Sequence, residues 1–410
     1  MVAVLSLSMM KMAALKTAVN LMPVGSVPLL FASAISSVAL LSLPAQAESG
    51  TGARQQALES LGQALFFDTS LSNNRSQSCA SCHDPARGFA DPGVNTQAGA
   101  VSLGDDGHSL GDRNAPSVTY AAFTPEFHRD SEGRLVGGQF WDGRASSLED
   151  QAKGPPLNPI EMGLPDVASL RARLQENPFY VSRITELFGE AGLASDEAAF
   201  DAMASSIAAF ERSDAVSPFD SRYDRYLRGE YRMTEQEELG RTLFFSQQFT
   251  NCNQCHQLRQ SAIAADETFS NYQYHNIGVP VNTAVRAASG MAPDALDGGL
   301  LNNPQVSEEH ERGKFRTPGL RNVAVTGPYM HNGVFAELET VVRFYNSYNS
   351  KSAASKINPQ TGQSWGQPEV AQNLSLTELE SGPALDSKRI AALVAFLKTL
   401  TDKRYEALLD

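Results

Sequence analysis

The chain contains four cysteines, and they form two motifs that each end in a histidine. The motifs are CASCH at residues 79–83 and CNQCH at residues 252–256. A CxxCH motif is typical of c-type haem attachment, in which both thiols add to the porphyrin vinyl groups and the histidine ligates the iron. Disulfides, or one zinc site of four thiolates, would leave both histidines without a role. The motifs predict two covalent haems, attached at Cys79, Cys82, Cys252 and Cys255, with His83 and His256 as proximal ligands.

An internal repeat precedes both motifs. LGQALFF at 61–67 and LGRTLFF at 239–245 share the pattern LGxxLFF. Each copy places apolar residues at i, i+4 and i+5, which predicts the inward face of a helix. Two related units, each with its own attachment motif, indicate a mainly α fold of two cytochrome c-type domains with long loops.

The repeat and the composition predict the domain boundaries. We expect an N-terminal cytochrome c domain over 48–212, a polar linker over 213–234 and a C-terminal domain over 235–410. Ser195 is a candidate N-cap for a helix over 196–212. The segments 283–313 and 350–385 are rich in Gly, Asn, Ser and Pro and are expected to be loops without regular structure.

Residues 1–47 have the features of an export signal. Lys11 and Lys16 precede an apolar stretch at 28–43, and Ala45-Gln46-Ala47 is a candidate cleavage site. The apolar stretch is short for a bilayer span, although an uncleaved membrane anchor is the alternative. Cleavage after Ala47 would place the protein in the periplasm, with no stable membrane span. The formal net charge of −13 argues against nucleic-acid binding, which needs a basic surface.

Three further segments resemble the bacterial di-haem cytochrome c peroxidases, and specifically their MauG-type branch. They are RNAPSVTYAAF at 113–123, GGQFWDGRASSLEDQAKGPPLNPIEMG at 137–163 and KFRTPGLRNVAVTGPYMHNGVFAELETVVRFYN at 314–346. With both haem motifs in the matching order, the resemblance covers nearly all of residues 55–400. It implies that hydrogen peroxide reacts at the N-terminal haem and that the C-terminal haem transfers electrons.

The resemblance also implies which residues form the peroxide pocket. They are Gln151, Pro155 and Glu161, which follow the Trp-Asp-Gly-Arg motif. The apolar setting of Glu161 in NPIEMG would raise its pKa and suit proton transfer, whereas an exposed loop glutamate is the alternative. Trp141 would lie between the haems and relay charge, which is compatible with a buried structural role.

Members of the family differ in what covers the first iron at rest. Gated peroxidases use a distal histidine that leaves when the other haem is reduced, whereas MauG-type enzymes leave the position open. His108 lies near the place of that gating histidine and is the candidate for it. Its Gly- and Asp-rich surroundings favour an exposed loop histidine as the alternative.

The second haem of gated peroxidases has a methionine ligand on the helix after the PYxHxG motif. This chain has no methionine after Met330, and the resemblance places Tyr345 at the matching position. Tyr345 shares an apolar helix face with Leu338, Val341 and Val342. A phenolate ligand stabilises ferric and higher states, so it would favour storing oxidising equivalents over both irons. A core tyrosine is the alternative.

The family also has a calcium ion between the haems, and oxygen ligands suit that metal. The resemblance assigns it to the Asn114 side chain and the carbonyls of Thr326 and Pro328. His275 and His331 are expected to help build the second haem pocket, whereas His128 and His310 are expected at the surface.

We therefore expect an exported di-haem peroxidase of the MauG type. It would reduce hydrogen peroxide and oxidise a small periplasmic electron-donor protein or another protein substrate. A gated cytochrome c peroxidase using His108 is one alternative. A non-catalytic di-haem electron-transfer cytochrome is the other, and it requires strong ligands on both sides of both irons.

Overall fold

Helices provide most of the regular structure, as the two LGxxLFF segments predict. The computed structural model describes residues 46–259, 261, 263–292 and 294–409. Short 3₁₀ turns and loops join the helices. The helices are α1 (Gln46–Phe66), α2 (Cys79–Cys82), α3 (Leu148–Ala152), α4 (Gly154–Leu157), α5 (Val167–Glu176), α6 (Pro178–Phe188), α7 (Asp196–Glu211), α8 (Arg222–Leu227), α9 (Glu235–Phe245), α10 (Thr283–Ser289), α11 (Leu338–Asn349), α12 (Leu376–Leu379) and α13 (Ser387–Lys398).

The strands of the described residues are short and form two antiparallel pairs. In the first, β1 (His128–Arg129) pairs with β2 (Leu135–Val136), with His128 opposite Val136. In the second, β3 (Tyr274–His275) pairs with β4 (Phe315–Arg316), with His275 opposite Phe315. The mainly α fold class is confirmed, since strands contribute only these pairs.

Each LGxxLFF helix packs closely against a second helix that comes later in the chain. A Cβ at Gly62 of α1 would lie 1.8 Å from the carbonyl oxygen of Ser206 on α7. A Cβ at Gly240 of α9 would lie 1.9 Å from that of Ala392 on α13. Both distances are far below van der Waals contact, so the glycine of each repeat is required by a helix–helix contact.

Two phenylalanine rings, one from each helix, are in contact next to each of these helix crossings. The ring centroids of Phe66 and Phe210 lie 5.3 Å apart, and those of Phe244 and Phe396 lie 5.2 Å apart. Each ring follows the contact residue on its helix by four positions, so it lies one turn further along the same face. The internal repeat therefore includes the helix packing: α1 packs on α7 in the same way that α9 packs on α13.

Two hydrophobic cores lie within the compact unit formed by Ala47–Asp410. The first core contains residues from Leu61 to Val216 and the second contains residues from Tyr223 to Leu400. The predicted helix before the linker is present as α7, and the Ser195 side chain accepts a hydrogen bond from the Ala198 N–H. The exact domain boundary stays a prediction.

Two predicted loop segments contain helices. The segment 283–313 begins with α10, and 350–385 contains α12, so the expectation of no regular structure is wrong there. The Asn282 side chain caps α10 by accepting a hydrogen bond from the Val285 N–H at 3.2 Å. Gly290, with φ 71°, ends the same helix in the left-handed region. Both cap residues are of types that also mark turns.

The predicted signal segment falls almost wholly outside the described residues. Only its last two residues are described, as the start of α1. Among the described helices, none combines the length and the apolar character needed to cross a bilayer.

Candidate functional site

The first CxxCH motif forms part of the wall of a large cavity. Cys79 and Cys82 are the first and last residues of α2, and the Ser81 hydroxyl accepts a hydrogen bond from the Ser78 N–H at 3.0 Å. The His83 N–H donates to the Cys79 carbonyl at 2.9 Å. Because of this single helical turn, Cys79, Cys82 and His83 all line one cavity of about 670 Å³.

The second motif repeats this arrangement in a separate cavity. A 3₁₀ turn at Cys252–Gln254 replaces the helical turn, and the His256 N–H donates to the Cys252 carbonyl at 2.9 Å. Cys252, Cys255 and His256 line a cavity of about 210 Å³. The two motifs therefore form two distinct sites.

His83 and His256, the predicted proximal ligands, each have a backbone carbonyl within hydrogen-bond distance of Nδ1. His83 Nδ1 lies 3.2 Å from the Phe89 carbonyl oxygen, and His256 Nδ1 lies 3.1 Å from that of Phe269. An Nδ1–H donor to a carbonyl leaves Nε2 with its lone pair available. Burial lowers the pKa of His83 and lowers that of His256 to about 4. Both imidazoles are therefore neutral near pH 7.

The cysteines fit covalent attachment better than metal or redox chemistry. None of the four forms a disulfide, and burial raises the pKa of the Cys79, Cys82 and Cys255 thiols to about 12. A thiol with a raised pKa is a poor metal ligand, whereas a thioether carries no charge and tolerates burial. Across the described ranges, no three His, Cys, Asp or Glu side chains cluster to hold a metal ion.

Three residues predicted for the peroxide pocket lie in the first cavity. Gln151 is on α3, Pro155 is on α4, and Glu161 is in the turn that follows. Burial raises the pKa of Glu161, although the Arg144 charge and a hydrogen bond from Asn158 oppose that shift. The direction of this shift agrees with the one expected from the NPIEMG setting, and the role of Glu161 stays a prediction.

His108, the candidate gating histidine, lies away from that cavity. Its side chain is 80% exposed. Its Nδ1 lies 2.9 Å from the Asp106 carbonyl oxygen, and its Nε2 lies 3.2 Å from the carboxylate of the same residue. His108 is absent from the cavity lining, so this structure places it as the exposed-loop alternative does.

Tyr345 lies in the second cavity on the predicted apolar face of α11. Leu338, Val341 and Val342 line the same cavity, so the assignment of the face is confirmed. The Tyr345 hydroxyl forms no hydrogen bond with the described residues. Burial raises its pKa, and the nearby Cys255 adds to the effect. An uncharged phenol is therefore held inside an apolar cavity without a protein partner.

Aromatic side chains form the wall between the two cavities. Trp141 lines both cavities, and its Nε1–H donates to the Asn114 carbonyl at 2.8 Å. His331 also lines both, and its ring stacks on Phe315 with centroids 3.6 Å apart and an interplanar angle of 10°. The indole thus lies where the resemblance predicted, between the two sites.

One arginine on this wall lacks the carboxylate partner that its buried neighbours have. Arg113 pairs with Asp142 and Asp297, Arg286 with Glu369, and Arg321 with Asp224. Arg316 lines both cavities and, within the described residues, forms no ion pair. Its Nε–H donates to the Phe140 carbonyl at 3.3 Å, and burial lowers its pKa.

Arg316 is half-buried and lines both cavities without a protein counter-charge, so its guanidinium is available to pair with an anionic group there. Sequence reasoning missed Arg316, because an arginine in KFRTPG carries no signal of burial. Arg316 is in β4, and its place in the wall between the cavities depends on the pairing of β4 with β3.

The three residues assigned to calcium lie on one side of the first cavity. Asn114, Thr326 and Pro328 all line it. The Asn114 Nδ2 donates to the Gly99 carbonyl at 2.9 Å, which leaves its Oδ1 as the atom available to a cation. An amide and carbonyl oxygens are donors that calcium accepts.

The other histidines lie where they were predicted. His275 lines the second cavity and His331 lines both. His128 and His310 are exposed.

Comparisons with known proteins agree with this geometry. The family model described as di-haem cytochrome c peroxidase matches residues 56–232. The methylamine utilization protein MauG of Paracoccus denitrificans (strain Pd 1222) is 54% identical over 354 residues, covering 86% of this chain and 91% of that protein. The cytochrome c peroxidase Ccp of Escherichia coli (strain K12) is 34% identical over 289 residues, covering 70% and 52%.

Solved structures show the same relationship. The di-haem peroxidase BthA of Burkholderia thailandensis E264 aligns with a TM-score of 0.75 at 32% identity, covering 86% of this chain and 88% of that one. A MauG-like protein associated with microbial copper homeostasis aligns with a TM-score of 0.62 at 32% identity, covering 85% and 92%.

Proposed function

The chain belongs to the di-haem cytochrome c peroxidase family and is a MauG-like, peroxidase-type oxidoreductase with two c-type haems, and we propose how its residues divide the reaction. Hydrogen peroxide reacts in the first cavity. His256 and Tyr345 would hold the second haem, which when bound would supply a centre that stores oxidising equivalents. A redox protein or another protein substrate supplies the electrons. The observation that carries this proposal is the Tyr345 hydroxyl, because Tyr345 lines the same cavity as His256 and the hydroxyl bonds to no described residue.

The cavity residues fit two covalent haems. The thiols attach each porphyrin, and the neutral imidazoles of His83 and His256 present Nε2 to the iron. Arg316 provides the counter-charge for haem carboxylates, because it lines both cavities and has no protein carboxylate within ion-pair distance in the described chain. The haems supply irons that change oxidation state and, in the first cavity, a coordination position for peroxide.

Glu161 is proposed to move the proton between the two peroxide oxygens. Its raised pKa keeps the carboxyl protonated over a wider pH range than that of an exposed glutamate, and a group with a pKa nearer neutrality transfers protons most effectively. The Gln151 amide orients the peroxide by hydrogen bonding. Pro155, which has no N–H, narrows the cavity on the same side without adding a competing donor.

Trp141 is proposed to carry charge between the sites. It is in contact with both cavities, and its indole N–H is fixed by the Asn114 carbonyl. A fixed orientation keeps the path between the haems constant. A calcium ion held by Asn114, Thr326 and Pro328 would stiffen the same segment, since Asn114 also accepts the Trp141 hydrogen bond.

We also propose export to the periplasm, because residues 1–47 have the pattern of a cleaved signal. A small periplasmic donor protein or a protein substrate would then be the partner.

Electron paramagnetic resonance of the ferric holoprotein tests the proposal, followed by a peroxide titration without added reductant. We expect one high-spin and one low-spin signal, and a rapid optical change at one equivalent of peroxide. A requirement for half-reduction would instead support the gated mechanism with His108. Two low-spin signals and no reaction, even after half-reduction, would support a non-catalytic electron carrier.

A further inference from the structure

A second carboxyl group, outside the predicted pocket residues, faces the first cavity. Glu211 is the last residue of α7, is only 4% exposed and lines the cavity that holds Cys79 and His83. Burial raises the pKa of Cys79, and the nearby Glu211 charge adds to the effect. Glu211 therefore lines the same cavity as the thiols to which the first haem would attach.

The surroundings of Glu211 disfavour its charged form in three ways. The adjacent Arg212 turns away and forms a bidentate pair with Glu149 on α3, at 2.6 and 2.9 Å. The Glu211 carboxyl forms no hydrogen bond or ion pair with any described residue. Its place in the last turn of α7 sets it against the negative end of the helix dipole. Burial raises its pKa to about 8, with the nearby Glu149 charge adding to the effect and Arg212 opposing it.

We propose that Glu211 is a second proton-carrying group of the first haem cavity, which holds a proton at neutral pH and releases it when the first iron is oxidised. The charged or ionisable groups around it are Glu149 on α3, Arg212 on α7 and the Cys79 sulfur on α2, which is uncharged once it is a thioether. The proposal requires only a haem attached at Cys79 and Cys82. It does not depend on ligation by Tyr345 or on the reaction with peroxide.

The physical basis is reciprocal coupling between two charges in a medium of low polarity. Oxidation of the first iron passes one electron to an external acceptor and adds one positive charge to the site. That charge favours the ionised carboxyl, so the Glu211 proton passes to water. By the same coupling, raising the pH ionises Glu211 and makes the ferric state easier to reach, which lowers the reduction potential. The contribution of Glu211 is thus a downward shift in potential as pH rises.

The test is a spectroscopic redox titration of the holoprotein between about pH 6 and about pH 9.5, without peroxide. In the wild type, the potential of the first haem should fall with increasing pH. In Glu211→Gln the fall should be largely lost, and the potential should stay near the acid-side value of the wild type. Glu197→Gln, an exposed change on the same helix, should behave like the wild type. A wild-type pH dependence in Glu211→Gln would overturn the proposal.

A second measurement covers the case in which Glu211→Gln does not retain both haems. Redox-induced infrared difference spectra of Glu161→Gln, which keeps Glu211, should show a protonated-carboxyl band that disappears on oxidation and shifts in deuterium oxide. Absence of that band would overturn the proposal. Because neither measurement uses peroxide, their failure would leave the proposed peroxidase mechanism untouched, and the peroxide titration above tests that mechanism separately.

Discussion

Replacing Tyr345 with phenylalanine tests the proposed ligand of the second haem directly. An ordinary tyrosine has a pKa of about 10, and burial raises that of Tyr345 further. Removing its proton at pH 7 therefore costs at least about 4 kcal/mol, which the bond to iron must offset. The ligand should be released by acid, because each unit of decreasing pH weakens phenolate binding about tenfold.

We expect Tyr345→Phe to convert the low-spin signal of the second haem to a different species at all pH values. The wild type should reach a comparable state only on acidification, with uptake of one proton. Where Tyr345 is not bound to iron, the substitution should change the free energy of unfolding by less than about 0.5 kcal/mol. The reason is that the hydroxyl forms no hydrogen bond with the described residues. Optical and electron paramagnetic resonance spectra across pH provide the measurement.

Two control variants make this test specific. Tyr348→Phe removes a hydroxyl from the same helix that donates to the Ile277 carbonyl at 2.9 Å, outside the set of residues that line the second cavity. It should leave both haem spectra unchanged. Met330→Leu removes the sulfur that lines both cavities and should not change the ligation of the second haem. An unchanged spectrum in Tyr345→Phe, or loss of a sulfur-to-iron band in Met330→Leu, would refute ligation by Tyr345.

Two further predictions concern proton transfer and packing. Glu161→Gln should slow the reaction with peroxide by about 10²-fold or more in stopped-flow measurements, while the exposed Glu190→Gln should not; equal rates would remove Glu161 from the mechanism. Gly62→Ala should lower the free energy of unfolding by about 1–3 kcal/mol in chemical denaturation, because the new Cβ would clash with the Ser206 carbonyl. The control is Gly52→Ala in the same helix. A Cβ there would have no atom within 4 Å, so this variant should be neutral or stabilising. A stable Gly62→Ala variant would show that the two helices can separate without cost.

The haem motifs and the first half of each repeat could be predicted because their signals are local. CxxCH fixes two thiols and an imidazole within one turn, and LGxxLFF marks one helix face. The partner helices α7 and α13 carry no such signal. Their contact residues are Ser206 and Ala392, small residues whose importance appears only when a glycine approaches them. Their shared role in the repeat was recognised from packing.

Two charged residues of the site, Arg316 and Glu211, were missed for a related reason. Arg316 and Glu211 are defined by the partners that they lack, and a missing partner is visible only after all neighbouring segments have been placed. Arg212 would be the natural partner of Glu211 in sequence, yet it turns to Glu149 on another helix. Sequence shows which charges exist, whereas the fold decides which of them are left to face a cofactor.

The two cytochrome c-type units share the same repeat of helices and haem motif, and their cavities differ in the residues that other segments contribute. Each repeat supplies a helix crossing at a glycine, a pair of thiols and a histidine whose Nδ1 lies within hydrogen-bond distance of a backbone carbonyl. The segment 137–163 adds an amide and a carboxyl to the first cavity, which is the larger. Helix α11 adds Tyr345, two asparagines and apolar side chains to the second. Gln151 and Glu161 thus lie in the cavity where peroxide is proposed to bind, and Tyr345, the proposed ligand that would favour oxidised iron, lies in the cavity where charge would be stored.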